Sequence, residues 1–219
     1  MIKPQTIFLD AVGTLFGVKQ SVGAVYSAIA REFGVEVDPQ TLDAAFRDSF
    51  RAADPLAFPE HSIVEVPRCE YEWWQVIAAA TFTRVQARDQ FDDFEAFFNR
   101  LYGYFATPAP WAVYPDILPA LTAWRKDHIE LGIISNFDTR IHAVLSGLHL
   151  HDFFSSITIS SLTGAAKPDT AIFMAALAKH NCSPERAWHI GDSVKEDYEG
   201  AKAAGLHPIL LKRAKGTVS

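Results

Sequence analysis

The chain has 219 residues, of which 49% are apolar and 21% are charged, and its formal net charge is −6. This length and composition suit a globular protein with one large domain, or one domain that carries a smaller insert. The acidic balance excludes a basic stripe for nucleic acid or an anionic membrane surface, so we expect a small soluble substrate.

The first residues show no signal-peptide pattern, and no apolar segment approaches the roughly 20 residues that span a bilayer. We therefore expect a cytoplasmic protein that makes no membrane contact. Cys69 and Cys182 are the two cysteines, and they form no C-x-x-C pair, so we expect both to be reduced. The sequence leaves the oligomeric state open, with a slight preference for a monomer.

The first predicted element is a strand over residues 6 to 9, an apolar run that delivers Asp10 into a turn containing Gly13 and Thr14. Residues 17 to 111 differ from the rest of the chain because they show helical periodicity and no convincing strand. The predicted helices of this insert cover 21–33, 39–53, 67–82 and 89–105.

Many aromatic residues of the insert recur at helical spacing, which favours core packing, with a substrate-stacking face as the alternative. They are Trp73, Trp74, Phe82, Phe91, Phe94, Phe97, Phe98, Tyr102, Tyr104 and Phe105. The insert lies between the first strand and the rest of the sheet, so we expect it to close over Asp10.

The C-terminal half alternates β-rich runs with amphipathic stretches, the pattern of an α/β fold in which helices cover both faces of a Rossmann-like parallel sheet. Strands are predicted at 129–135, 156–160, 187–191 and 208–211, and helices at 139–148, 170–180 and 194–204. We expect an α/β core of residues 1–16 and 112–219, with the helical insert at 17–111. Right-handed crossovers place the C-terminal ends of the strands at one edge of the sheet, where ligands bind.

Several polar residues follow the predicted strands at this edge. Each has an ordinary explanation by itself, as a turn residue, a helix cap or a solvated lysine. Together they would supply a nucleophile, phosphate donors, a cation and oxygen ligands for Mg²⁺, which is the inventory for phosphoryl transfer. They are Asp10, Ser135, Asn136, Lys167, Asp192 and Asp197.

At these positions the chain resembles the haloacid dehalogenase (HAD) superfamily, in a subclass with a helical cap between the first two motifs. The motifs that match are residues 10–14, Ser135-Asn136, Lys167-Pro168-Asp169 and residues 191–197. More narrowly, residues 10–15, 71–74 and 135–138 resemble the group that contains haloacid dehalogenase-like hydrolase domain-containing protein 3 and the rhythmically expressed gene 2 product. That group implies no particular substrate.

The superfamily resemblance implies that Asp10 attacks phosphorus to form an aspartyl-phosphate, while Mg²⁺ neutralises the phosphoryl oxygens. The implied Mg²⁺ ligands are Asp10, the backbone C=O of Val12 and Asp192, with Asp197 as a ligand or an orienting residue. The implied phosphate contacts, which also take part in catalysis, are Thr14, Ser135, Asn136 and Lys167.

Val12 departs from the phosphatase pattern, which usually has an acid there to protonate the leaving group. General acid–base help is worth ~10²–10⁴-fold, so alkyl phosphates should be poor substrates unless an acidic residue of the insert replaces it. Acyl or aryl phosphates should suffer less, because their leaving groups need little protonation.

Three alternatives follow from Val12. A dehalogenase needs no such acid, and Arg31 or Arg47 could bind its substrate carboxylate, but the retained metal-site acids argue against it. A phosphonatase needs a lysine in the cap, and the sequence has none between Lys19 and Lys126. The third alternative is a folded relative that binds a phosphate compound or a protein partner and has little catalytic turnover.

Overall fold

The computed structural model describes residues 3–213. In chain order, its strands are β1 (Thr6–Leu9), β2 (Phe16–Val18), β3 (Trp111–Val113), β4 (Glu130–Ser135), β5 (Ser156–Ile159), β6 (Ala187–Gly191) and β7 (His207–Leu210). Its helices are α1 (Val22–Glu32), α2 (Pro39–Ala52), α3 (Val66–Arg84), α4 (Phe94–Phe105), α5 (Ile117–Lys126), α6 (Ile141–Gly147), α7 (Ser160–Thr163), α8 (Thr170–Lys179) and α9 (Gly200–Ala203). None of the helices in this range is long and apolar enough to cross a membrane.

Five strands form one parallel sheet in the order β5-β4-β1-β6-β7, which confirms the predicted α/β fold. Side chains along β1 alternate between its two faces: Ile7 and Leu9 join the core beneath α5 and α6, and Phe8 joins the core beneath α8 and α9. Helices therefore cover both faces. The strand order reverses between β1 and β6, and open α/β sheets bind ligands at such a point.

The structure corrects several element predictions. β2 and β3 form an antiparallel two-stranded ribbon that the sequence did not indicate, since strands this short carry little periodicity. The helix predicted from residue 89 begins only at Phe94, because Asp93 caps it by accepting a hydrogen bond from Ala96 N–H. α6 begins two residues later than predicted, since Asp138 accepts a hydrogen bond from Arg140 N–H and forms a turn. α5 was not predicted, and residues 194–199 have π-helical hydrogen bonding before α9.

Helices α1 to α4 occupy the chain between the two strands of the ribbon. They share their own apolar core, in which Phe82, Phe97 and Phe98 are fully or almost fully buried. Core packing is therefore confirmed for these aromatics. Trp74 and Tyr102 are only partly buried and line a cavity, so the stripe divides between core packing and cavity wall. Cys69 and Cys182 are both free thiols.

Candidate active site

Asp10 lies directly after β1, between the ends of β4 and β6. Its N–H donates to Ile190 C=O at 2.9 Å, which continues the sheet hydrogen bonding to the last residue before the turn. Its carboxylate is largely buried, and Oδ1 accepts hydrogen bonds from Ser135 Oγ at 3.0 Å and Lys167 Nζ at 2.7 Å. The fold thus brings together side chains that are far apart in sequence.

Lys167 is buried and joins two carboxylates, so the alternative of a solvated lysine is wrong. Its ammonium lies 2.7 Å from Asp10 Oδ1 and 2.5 Å from Asp197 Oδ1. Burial alone would lower the pKa of Lys167, but the two carboxylates outweigh burial and raise the pKa above its ordinary value. Asn136 fixes the lysine backbone, accepting from Lys167 N–H at 2.7 Å and donating to Lys167 C=O at 3.0 Å.

Asp197 is held on three sides beneath the sheet edge. Besides Lys167, His189 Nε2 lies 2.9 Å from its Oδ1, and Ser193 N–H donates to its Oδ2 at 2.9 Å. Burial would raise the pKa of Asp197, but the hydrogen bond from His189 and the charge of Lys167 hold it below its ordinary value. Gly191 is needed here, since a Cβ on it would lie 2.1 Å from Asp197 Cγ.

Asp192 completes a cluster of acids. One carboxylate oxygen each of Asp10, Asp192 and Asp197 lies within 4.8 Å of the others. Burial, followed by repulsion from Asp10 and Asp197, raises the pKa of Asp192 to about 6. Gly13, at φ +91°, lets the turn after β1 pass close to Asp192, because a Cβ there would lie 2.5 Å from its carboxylate oxygen.

This acid cluster fits a divalent cation. Three carboxylates lie together with a single buried ammonium, which contacts Asp10 and Asp197, and Asp192 lies on the solvent-facing side of the cluster. Hard cations such as Mg²⁺ bind carboxylate oxygens, usually through one or two of them, and keep several waters. Two of the three carboxylates are already hydrogen-bonded, so Asp192 is the most available ligand.

Thr14 and Val12 occupy different positions within the turn. The Thr14 side chain is fully buried, and its hydroxyl has no hydrogen-bond partner among residues 3–213. Thr14 does not line the cavity above Asp10. Its buried position therefore does not favour direct contact with a phosphate. Val12 is 38% exposed and belongs to that wall.

A cavity of about 710 Å³, here called the site cavity, opens above Asp10 between the sheet edge and α2. Its wall includes Asp192, Lys167 and Ser135 from the predicted site. Arg47, Arg51 and Asp54 add charged groups from α2 and the loop after it. Arg31, the other candidate for binding a carboxylate, does not line it.

The family of this chain was determined by comparison with known proteins. A family model for haloacid dehalogenase-like hydrolases matches residues 4–205, which is nearly the whole chain. The chain belongs to this family. Membership supports an enzyme of the hydrolase class acting on a small molecule.

Curated relatives of this HAD-like hydrolase confirm the narrower resemblance. Haloacid dehalogenase-like hydrolase domain-containing protein 3 of Bos taurus is 32% identical over 202 residues, covering 92% of this chain and 79% of that protein. The rhythmically expressed gene 2 protein of Drosophila melanogaster is 29% identical over 213 residues, covering 94% and 82%.

Solved structures share the fold of this HAD-like hydrolase. A HAD phosphatase from Thermococcus onnurineus has a TM-score of 0.63 at 21% identity, covering 98% of this chain and 88% of that one. L-2-haloacid dehalogenase from Xanthobacter autotrophicus has a TM-score of 0.70 at 17% identity, and the match covers 98% of this chain and 80% of that chain. The Bacillus subtilis protein YfnB, described as bound to magnesium, has a TM-score of 0.69 at 17% identity, and the match covers 96% of this chain and 89% of that chain. Phosphatase and dehalogenase share this fold, so the fold alone does not determine the chemistry.

Two parts of the site in this HAD-like hydrolase were missed by sequence reasoning. His189 was assigned only to a strand, and no spacing rule pairs it with Asp197. The other part joins the loop after β4 to the insert: Thr139 N–H donates to Glu70 at 3.0 Å, and Trp74 Nε1 donates to Asp138 at 2.7 Å. The sequence 71–74 marked this part of α3, but only as a resemblance.

Proposed function

We propose that this HAD-like hydrolase is a Mg²⁺-dependent phosphatase that attacks a small phosphorylated metabolite with Asp10. The main support is the charge balance at the sheet edge, where Asp10, Asp192 and Asp197 face one buried ammonium. A phosphate dianion is repelled by such a site unless a cation binds with it. A reaction that needs no metal gives no reason to retain Asp192 at this distance.

Each residue of the site has a proposed role. Ser135 and Lys167 donate to Asp10 Oδ1, which fixes the carboxylate for attack, and both side chains line the site cavity. The Ser135 hydroxyl has one proton, so it would turn from Asp10 to donate to the phosphoryl group when the substrate binds. Asn136 positions Lys167 through its backbone, so its role in phosphate binding is indirect. Thr14 supports the turn from a buried position.

The proposed Mg²⁺ ligands are Asp10, the backbone C=O of Val12 and Asp192. When bound, Mg²⁺ would neutralise phosphoryl oxygens and offset their repulsion from the carboxylates. Asp197 already accepts hydrogen bonds at both oxygens, so we propose that it orients Lys167. We further propose that α1 to α4 act as the cap over this site.

Proton transfer is the weak part of the proposed reaction. Val12 cannot protonate a leaving alkoxide, and Asp54 is the acid that the insert places in the wall of the site cavity. Asp54 is a candidate to substitute for the missing acid. Without such help, turnover of alkyl phosphates should be low.

A dehalogenase is the second candidate function, favoured by one observation. Arg47 lines the site cavity, where it could bind the carboxylate of a 2-haloacid, and halide leaves without a proton. A third candidate, a binding protein with little turnover, has only Val12 in its favour.

A substrate panel separates these functions. Acetyl phosphate, p-nitrophenyl phosphate, sugar phosphates and 2-haloacids would be assayed with and without Mg²⁺, on the parent and on Asp10→Asn. We expect phosphate release that needs both Mg²⁺ and Asp10, fastest with acetyl phosphate and p-nitrophenyl phosphate. Metal-independent halide release that Asp10→Asn abolishes would replace the phosphatase proposal with the dehalogenase.

A further inference from the structure

A second cavity, of about 290 Å³, adjoins the site cavity beneath the insert and is here called the apolar cavity. The two cavities share wall residues, namely Val12, Phe46, Phe50, Asn136 and Phe137. The rest of the apolar cavity is built mainly from aromatic and aliphatic side chains of α1, α3, α4 and the β2/β3 ribbon. A molecule held at Asp10 therefore has an apolar space beside it.

Arg140 is the charged residue that the described chain places in this wall, and its charge is already compensated. Its guanidinium lies 2.6 Å from Asp138 Oδ2 and donates to Tyr102 C=O at 3.1 Å. It also stacks over the Tyr102 ring at 3.8 Å. Because these contacts satisfy the guanidinium, the apolar cavity offers no free cation for a second anionic group.

The volume of the apolar cavity matches a small ring system. An apolar cavity of roughly 150 Å³ is enough to bind benzene, so about 290 Å³ accommodates one substituted ring or two fused rings. Tyr26, Trp74, Tyr102 and Trp111 belong to its wall, and aromatic side chains favour an aromatic guest.

Val12 connects this shape to the chemistry at Asp10. A phenol has a pKa near the value of about 10 for tyrosine, whereas an alkyl alcohol is closer to the roughly 16 of water. A phenolate therefore leaves phosphorus without the proton that an alkoxide requires. Val12 removes the acid at the border where the leaving group would enter the apolar cavity.

We infer that the apolar cavity binds the aromatic leaving group of an aryl phosphate monoester. This inference rests on the proposed phosphatase function. Asp10 forms a bond to phosphorus as the phosphorus–oxygen bond to the ring breaks, and the phenolate departs with the electron pair and takes a proton from water. Water then hydrolyses the aspartyl-phosphate, releasing inorganic phosphate and restoring Asp10.

The test compares phenyl phosphate with acetyl phosphate, which has a good leaving group but no ring. Val22 lines the apolar cavity, so Val22→Phe should fill part of it. Val25 lies on the same helix and lines a separate cavity beside Glu32 and Arg100, so Val25→Phe is the matched control. We expect Val22→Phe to lower kcat/KM for phenyl phosphate at least about tenfold and to change kcat/KM for acetyl phosphate less than about threefold. Val25→Phe should change neither value by more than that.

Phenol binding gives a readout that does not depend on turnover. Because Trp74 and Trp111 line the apolar cavity, tryptophan fluorescence of the parent should change on phenol addition, and Val22→Phe should weaken that binding. Val18→Leu fills the same cavity with a smaller change if Val22→Phe does not fold. The inference is overturned if Val22→Phe lowers kcat/KM equally for phenyl phosphate and acetyl phosphate. It is also overturned if neither Val22→Phe nor Val18→Leu weakens phenol binding. Absence of Asp10-dependent hydrolysis of acetyl phosphate would instead remove the proposed function.

Discussion

Val12 lies where the site cavity and the apolar cavity meet, and its side chain is 38% exposed. Aspartate at this position would remain partly hydrated, but it would share the cavity wall with Asp10 and Asp192, whose carboxylates would repel it. Valine therefore avoids this repulsion and also removes a proton donor from the site.

Replacing Val12 by aspartate should restore the proton donor. We expect Val12→Asp to raise kcat for alkyl phosphates by up to about 10²-fold, because general acid help matters most for basic leaving groups. Acetyl phosphate should respond much less, since its leaving group needs no proton. The measurement is kcat for the two substrate classes at saturating Mg²⁺.

Val12→Asn is the matched control for this prediction. Asparagine has the shape and polarity of aspartate, but it has no acidic proton to give to the leaving group. A gain shared by both variants would mean that polarity or cavity shape limits turnover. Unchanged alkyl phosphate activity in Val12→Asp would mean that another group, such as Asp54, already supplies the proton.

The loop after β4 is the element that couples the site to the insert. Ser135, the last residue of β4, contacts Asp10, and Asn136 at the start of the loop contacts Lys167. Further along the loop, Asp138 and Thr139 contact α3. This loop thus connects the sheet edge with the helices above it.

Glu70, like Asp138, is a buried titratable group of that contact. Burial raises the pKa of its carboxyl, and hydrogen bonds from Thr139 offset part of the rise. Because the pKa of Glu70 is higher in the folded state, its protonated form stabilises the fold. This contribution to the free energy of unfolding is complete below the unfolded pKa of about 4.3 and is lost as the pH rises through the folded pKa.

Glu70→Gln should remove this pH dependence. We expect the Tm of the variant, relative to that of the parent, to increase as the pH rises above the unfolded pKa of about 4.3, as measured by thermal unfolding. Glu72→Gln is the control, since Glu72 is an exposed residue on the same helix. A Tm difference between Glu70→Gln and the parent that is the same at every pH would mean that Glu70 does not titrate in this range.

The sequence predicts those elements that depend on local pattern. β1, β4 and β6 are short apolar runs, and each is followed directly by a polar residue of the site. Because parallel strands share an edge, their local pattern is enough to predict that Asp10, Ser135 and Asp192 converge. The sequence therefore predicts the part of the site whose residues lie at strand ends.

Contacts between distant segments could not be predicted in this way. The burial of Lys167 depends on Asp197 meeting it across 30 residues, and Glu70 meets Thr139 across 69. The three-residue strands of the β2/β3 ribbon are too short to show a period, and the apolar cavity forms only where the insert helices pack with the ribbon and the turns of the core.

At the scale of the whole molecule, the fold concentrates negative charge at one point of the sheet. The chain as a whole carries a formal charge of −6, and three of its carboxylates lie together beside one ammonium. Partial burial and repulsion from Asp10 and Asp197 raise the pKa of Asp192 to about 6, so the fold loses stability as the pH rises from about 3.9 to about 6 when no cation is bound. The fold is therefore expected to gain stability from a divalent cation.

Mg²⁺ should raise the Tm of the parent. A ligand at 100 times its Kd stabilises the folded state by about 2.7 kcal/mol. For a chain of this length each kcal/mol shifts Tm by roughly 2–4 °C, so we expect a rise of roughly 5–10 °C at about pH 8. Differential scanning calorimetry with saturating Mg²⁺ and with a chelator measures it.

Asp192→Asn separates metal binding from a general effect of salt. The variant should lose most of the Mg²⁺-induced rise, and in the presence of chelator its Tm at about pH 8 should exceed that of the parent, because the repelled carboxylate is gone. The control is Asp152→Asn, which changes a fully exposed carboxylate and should keep the full rise. An equal rise in all three proteins would show that Mg²⁺ acts through the overall charge, and the acid cluster would then not be a metal site.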